Sequence, residues 1–418
     1  MLSVLLRYLL AITLLFSHCD VVANILITDI EKTENGEWTV SYRSHQPIKS
    51  IQFVSSPDSS RLDRWEFIEE GFEFRLFNQR ETVVRRDNQP FTSVKFTLTP
   101  TYTSLPKYYA PFSPFSDGSM LFHSARFFAC ANLCSGYDNQ FYLALTVPEN
   151  DSIIVNGHTV TSKASWYDSN DGQKVFVGQF PKTLHSKYFA LIDNGLPDDT
   201  IDTLNTKLPL FLEALEQHLF PLTVKPTLYA SYSKTSDGSY GRQGGVLSNQ
   251  IFMHWYGRVV NDNPYELLWF FAHEAVHIYQ GYGDRLIDAK DAWIHEGYAD
   301  FVAGQLLLAH FPASADYVHR RTLQAKQKCT VALSSNKLTE LSSNGSYQAL
   351  YQCGLLFYDE LFNHFEEDRT IASFKYWKAL GHYVAPGEHI TQDIVFDVAE
   401  KMTSPQVIEK IKNIKNFD

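Results

Sequence analysis

His273-Glu274-Ala275-Val276-His277 sets two imidazoles and a carboxylate within five residues. On a helix, residues four apart lie one above the other, so both rings can reach one metal ion. The carboxylate after the first ring can sit beside a metal-bound water and take its proton. Glu296, nineteen positions beyond His277 in Trp293-Ile294-His295-Glu296-Gly297-Tyr298-Ala299-Asp300, offers a third ligand. Three protein ligands and one open corner are what a catalytic zinc ion requires, and the water it carries has a pKa near 7. The chemistry this pattern points to is hydrolysis, with Glu274 as general base and then as proton donor to the leaving amine. Two core histidines beside a solvated Glu/Asp face would be the alternative, but that reading must account for His273, Glu274, His277, Glu296 and Asp300 together.

Two helices have to bring these groups together. Asn263-Pro264-Tyr265-Glu266 reads as a helix start, with Asn as cap, Pro at the first helical position and Glu three after the cap. The apolar run from Leu267 to Phe271 follows, and Gly281 and Gly283 supply a stop after Gln280. A second helix is expected from about 291 to 311, closed by Pro312. On it Glu296 and Asp300 share a face, four residues apart. Asp300 is placed to hold the N–H of a ligating histidine and fix its tautomer. His295, one residue before Glu296, is expected to point elsewhere.

His-Glu-x-x-His, eighteen residues, then Glu within Trp-x-x-Glu-Gly-Tyr-Ala resembles the gluzincin metallopeptidases, specifically the aminopeptidase N and glycyl aminopeptidase families. The resemblance implies a tyrosine in a Tyr-x-Lys-Gly context some way after the glutamate. Tyr351-Gln352-Cys353-Gly354 lies 55 positions after Glu296 and matches at Tyr and Gly, with Cys353 in place of lysine. The implied role of Tyr351 is to hydrogen-bond the oxyanion of the tetrahedral intermediate. Aminopeptidase N relatives also carry Gly-Ala-Met-Glu-Asn on an edge strand, whose glutamate grips the substrate amino terminus. The corresponding stretch here is Gly244-Gly245-Val246-Leu247-Ser248, with no carboxylate, which puts exopeptidase specificity in doubt. Gly244 and Gly245 would let a peptide backbone approach a strand edge; a simple turn is the competing reading.

The acidic balance, a formal net charge of −11 with no basic run, argues against nucleic acid as a partner, because phosphate binding needs a basic surface. The chain is 418 residues long and 44% hydrophobic, ample for two or three cored domains. Residues 1–23 read as an export signal: Arg7, an apolar run from Tyr8 to Phe16, and Val21-Val22-Ala23 before a cut at Asn24. That run is short for a bilayer span. A retained anchor is the other option, and Phe16-Ser17-His18 makes a poor lipobox for Cys19. No other stretch approaches eighteen apolar residues, so no stable membrane insertion is expected after signal removal, and a periplasmic or secreted location follows. Cys130, Cys134, Cys329 and Cys353 remain, an even number that suggests disulfides in three possible pairings. The preferred pairing is Cys130–Cys134 and Cys329–Cys353; a Cys-x-x-x-Cys metal site and free buried thiols stay open.

The pattern along the chain predicts an α+β protein. Residues 24–195 show alternating runs (24–30, 38–42, 93–98, 141–147, 175–180, 188–192) punctuated by Asn-Gly and Asp-Gly turns, which suits a β-sandwich or saddle like the family's amino-terminal domain. Residues 196–312 form the expected thermolysin-like catalytic core: an amphipathic helix over 202–218, a strand at 227–232, the Gly-rich segment, a strand at 250–254 and the two metal-binding helices. Residues 313–418 are expected to be helical and to complete the site through Tyr351, with helices near 314–328, 346–365, 371–380, 391–402 and 407–414. This part is shorter than in full-size relatives, which would leave the cleft open to longer or internal peptides. The function expected is an exported, one-zinc metallopeptidase acting on peptides or proteins. A weakly active or inactive binding or scaffold protein on a peptidase fold, and a zinc hydrolase with a non-peptide substrate, are the alternatives.

Overall fold

Strand-forming and helix-forming stretches segregate along this chain, but the sheets do not follow the same division. The computed structural model describes residues 26–105, 109–135, 140–179, 183–185, 187–260, 263–280, 287–385 and 387–412. The expected signal peptide, Cys19, Gly281 and Gly283 lie outside the described residues. The chain forms two compact units. One holds the described residues up to Thr99, with Ala125–Pro148 and Lys163–Asn170; the other holds Pro100–Ser124, Glu149–Ser162 and everything from Asp171.

The first unit is built from two sheets, with strands numbered in chain order through both units. Its six-stranded sheet runs β14-β11-β1-β2-β7-β4, where β1 is Ile27–Lys32, β2 Trp38–Ile48, β4 Trp65–Phe67, β7 Phe91–Leu98, β11 Phe141–Thr146 and β14 Lys163–Asp168. A second sheet runs β10-β3-β6-β5, from β3 (Ser50–Phe53), β5 (Phe72–Phe77), β6 (Arg80–Arg85) and β10 (Ala129–Ala131). Trp38, Val40 and Tyr42 of β2 point inward and the residues between them outward, the period-two pattern of a half-buried strand. A short helix α1 (Ser60–Arg64) precedes β4. Cys130 is bonded to Cys134 within this unit.

The second unit contains two five-stranded sheets and the remaining helices. One sheet runs β13-β12-β15-β9-β8, from β8 (Phe112–Pro114), β9 (Met120–His123), β12 (Ser152–Val155), β13 (His158–Thr161) and β15 (Lys174–Gly178). The other runs β16-β17-β18-β20-β19, from β16 (Thr183–Leu184), β17 (Phe189–Ile192), β18 (Thr227–Ser233), β19 (Gly241–Leu247) and β20 (Gln250–Tyr256). β17, β18 and β20 are parallel, and β19 is an antiparallel edge. Phe115, Leu121, Ile154, Phe176, Leu191, Tyr229, Leu247 and Phe252 form one apolar cluster between these sheets. The expected domain border at 195 therefore falls inside this unit. The strands between 112 and 192 divide according to which sheet each one pairs into, a long-range property that local alternation does not carry.

Helices share one apolar core with the other face of the β16–β20 sheet: α2 (Asp198–Thr206), α3 (Leu208–His218), α4 (Pro264–Gln280), α5 (Trp293–His310), α6 (Ala315–Leu333), α7 (Tyr347–Phe362), α8 (Arg369–Tyr383), α9 (Gln392–Met402) and α10 (Pro405–Lys412). The helix expected over 202–218 is in fact α2 and α3. Pro209 in the first turn of α3 lacks the N–H that a continuous helix would use there. The Gly-rich segment is strand β19 rather than a turn. Cys329 of α6 is bonded to Cys353 of α7.

Candidate active site

Helix α4 starts where its sequence dictates, with the Asn263 side chain accepting from the Tyr265 N–H at 3.0 Å. Leu267, Leu268, Phe271, Ala275 and Val276 are buried, and this fixes the rotation of the helix and the face that carries His273 and His277. Helix α5 brings Glu296 opposite them. The Nε2 atoms of His273 and His277 lie 2.9 Å apart, and each is within 3.1 Å of Glu296 Oε2. Among the described residues these three are the only group of His, Cys, Asp or Glu close enough to hold a metal together.

The hydrogen bonds behind the rings decide what the three atoms can hold. Asp300 Oδ1 accepts from His273 Nδ1 at 3.0 Å and from Trp269 Nε1 at 2.6 Å. Burial opposes ionisation of Asp300, but the His273 bond and the nearby Arg321 outweigh it and hold the carboxyl below its usual range. Gln280 donates to the His295 carbonyl at 3.0 Å, which turns its oxygen to His277 Nδ1 at 2.6 Å. Both Nδ1 atoms are thus donors, so the deprotonated rings turn both Nε2 lone pairs toward one another and toward a carboxylate oxygen. Three converging lone pairs repel unless a cation sits among them. All three atoms lie close enough together for one ion to contact each of them. The donor set, two imidazoles and one carboxylate with acceptors fixing the tautomers, fits zinc. Burial works against charge on His273, yet its bonds to Asp300 and Glu296 lift its pKa to about 10, so protons compete with metal here. Glu296 is likewise opposed by burial and held far below the ordinary carboxylate range by the imidazoles around it.

Glu274 lines the cleft beside this cluster, and burial pushes its carboxyl up. The Tyr351 ring stacks on His273 with centroids 5.8 Å apart and planes 16° from parallel, and its hydroxyl bonds Glu296. Burial, then the Glu296 charge, raises the phenol and keeps it a donor. Gly244 and Gly245 stand on β19 along the same cleft, of about 300 Å³. So the structure brings His273, Glu274, His277, Glu296, Asp300, Tyr351, Gly244 and Gly245 to one place. Cys329–Cys353 sits on the helices behind Tyr351, while Cys130 and Cys134 belong to the other unit.

His295 corrects an expectation. It does not point elsewhere: its Nε2 is 3.5 Å from Glu296 Oε1, and its ring lies 5.6 Å from that of His277. His295 lies in the first turn of α5, next to Glu296 in the chain, and its ring reaches back toward the cluster. Trp269 and Gln280 were missed as well. Their signal was available, since they fall four before His273 and three after His277 on the same helix face.

No family model matches the chain, and no curated protein matches its sequence. Solved structures do match. The backbone is similar to that of a point variant of an M1 zinc metallopeptidase from Deinococcus radiodurans bound to a Tyr-Ser-Ala substrate, with a TM-score of 0.51 and 13% identity over 94% of this chain and 93% of that one. The chain has the fold of the M1 zinc metallopeptidases. Native yeast LTA4 hydrolase is similar too, with a TM-score of 0.51 and 12% identity over 93% of this chain and 66% of the yeast chain. So is the yeast LTA4 hydrolase complex with bestatin, at 0.50 and 13% over 94% and 66%. At 12–13% identity the likeness is one of fold. Within that fold, the site geometry above rests on this chain's own residues.

Proposed function

We propose that this chain is an exported zinc peptidase that hydrolyses peptide bonds at the His273–His277–Glu296 cluster. The observation that carries the reading is the convergence of His273 Nε2, His277 Nε2 and Glu296 Oε2 with both Nδ1 atoms pinned by acceptors, next to the buried carboxyl of Glu274. The M1 fold and a Deinococcus relative bound to a peptide support it. Two disulfides support an oxidising compartment. Among the described residues no helix is long and apolar enough to cross a membrane.

Zinc bound by the two histidines and Glu296 would supply a Lewis acid that acidifies water and polarises a carbonyl. Glu274 takes a proton from the attacking water and hands it to the leaving amine nitrogen. Its buried position, which raises its proton affinity, suits that shuttle. The Tyr351 hydroxyl donates to the oxygen that gains negative charge. Asp300, Trp269 and Gln280 hold the imidazoles in one tautomer and orientation. Metal analysis of the purified mature chain, with a fluorogenic peptide library, tests the reading. One zinc per chain and cleavage that stops with a chelator and returns with zinc are expected. A chain that binds no metal, or cleavage indifferent to the chelator, would refute it.

A further inference from the structure

Strand β19 is the sheet edge along which a peptide would lie, and its two ends are unlike. At the Arg242 end the cleft widens to about 460 Å³ between α4 and α6, reaching Arg321 and Leu355. At the Val246 end a side chain from outside the sheet closes it. The Tyr109 hydroxyl donates to the Val246 carbonyl at 2.9 Å. Its ring meets Phe252 edge-on at 4.7 Å and His123 at 5.4 Å. The backbone that follows is anchored as well, since buried Lys174 donates to the Ala110 carbonyl at 3.2 Å. Gly245 makes room for the ring: a Cβ there would stand 2.9 Å from Tyr109 Cε1.

Backbone groups alternate in direction along a strand. A Val246 carbonyl that accepts from outside the sheet faces outward, and so do the N–H and C=O of Gly244, two residues earlier. Gly244 is then the place on the edge, beside His273 and Glu274, where a peptide can pair. Two residues further along, at a rise of about 3.4 Å each, the next outward acceptor is already taken by Tyr109.

We propose that Tyr109 is a specificity-determining stop, limiting the substrate to one or two residues on the Val246 side of the bond that is cut. The stop is steric and occupies a hydrogen-bond acceptor; it needs no carboxylate to grip a terminal amine, so an acetyl cap counts only as length. The inference rests on the peptidase reading. It departs from the open cleft expected from the short helical part, because the closure comes from residue 109, ahead of the catalytic segment.

The test is a ladder of peptides sharing one cleavable bond, with one to five residues on each flank. Products are mapped by mass spectrometry, and the same ladder is titrated by calorimetry against the zinc-loaded Glu274→Gln chain, with and without a change at Tyr109. The wild type is expected to cut within two residues of one terminus, the same terminus throughout. Tyr109→Ala should move the cut inward and tighten Kd for long-flank peptides by about tenfold, one backbone hydrogen bond regained. Tyr109→Phe, which keeps the ring and its packing, should free only the carbonyl and fall between. Equal cutting of bonds with long flanks on both sides, or a length profile that Tyr109→Ala leaves unchanged, overturns the proposal. If the wild type cuts nothing, the peptidase reading fails, and the length profile of binding still decides for or against the stop.

Discussion

At the scale of single residues, the cluster works because each group is left one role. Glu274 ligates nothing in the cluster, so Glu274→Gln should retain zinc, measured by metal analysis, while turnover falls by about 10²–10⁴. A near-normal rate in that variant would remove its role as base. Tyr351→Phe should cost about 10²–10³ in kcat with KM little changed, the pattern of a donor used only as charge develops. Asp300→Asn and Gln280→Ala each loosen one imidazole and should weaken zinc binding about 10–100-fold in a chelator competition. The pH dependence has a definite sign. His273 gives up a proton to bind metal, and its pKa without metal is raised to about 10. Zinc affinity should therefore rise with pH by about tenfold per unit up to that value. The convergence of His273, Glu274, His277 and Asp300 was legible because helical spacing is local. Gln280 and Trp269 obeyed the same spacing, but an amide and an indole do not advertise metal chemistry. The pinning of the imidazoles shows only in three dimensions.

At the scale of elements, the distance between Glu296 and Tyr351 is set by two glycines. Gly297 of α5 and Gly354 of α7 pack backbone to backbone; a Cβ on either would fall within the other helix's main chain. No L side chain allows that approach. Gly297→Ala should force the helices apart, destabilise by about 1–3 kcal/mol as overpacking does, and lower kcat by moving Tyr351 off His273. Thermal unfolding and a kcat/KM comparison check both. The glycine after Glu296 and the glycine three after Tyr351 were visible in the sequence as part of a family pattern, but their mutual contact was not. The Cys329–Cys353 bond holds α7 to α6 at the residue before that crossing. It closes a loop with a sequence separation of 24. Loss of the bond in Cys329→Ser should cost about 3 kcal/mol, read as a lower urea midpoint. Long periodic helices such as α4 and α6 were readable within a few residues. The break between α2 and α3 was also present in the sequence, as Pro209, but the leucine periodicity runs through it and masks it.

At the scale of the whole molecule, what could be read was the order of classes, strands then mixed then helices, and what could not was which sheet each strand joins. β8, β9, β12, β13 and β15 are short runs bounded by turns, as are several strands of the first unit, yet they pair with one another and pack on the β16–β20 sheet. Pairing across many residues depends on which apolar faces meet, and a short apolar run such as β9 or β15 is compatible with either sheet. The unit that holds the His273–His277–Glu296 cluster is therefore discontinuous: the chain enters it at Pro100, leaves it at Ala125, returns for Glu149–Ser162, and stays from Asp171. A fragment of residues 196–418, the sequence-derived catalytic and helical parts, would lose β17 from the parallel sheet together with Tyr109. It would also lose the strands that cover Tyr229, Leu247 and Phe252. Each uncovered aromatic exposes on the order of 150–250 Å² of surface, and β18 becomes a bare parallel edge. That fragment should aggregate or bind a hydrophobic dye on expression, whereas one beginning at residue 100 retains every strand of the second unit. A 196–418 fragment that stays monomeric, melts cooperatively and binds one zinc would show that the β8–β15 sheet is an accessory to the catalytic unit rather than part of its core.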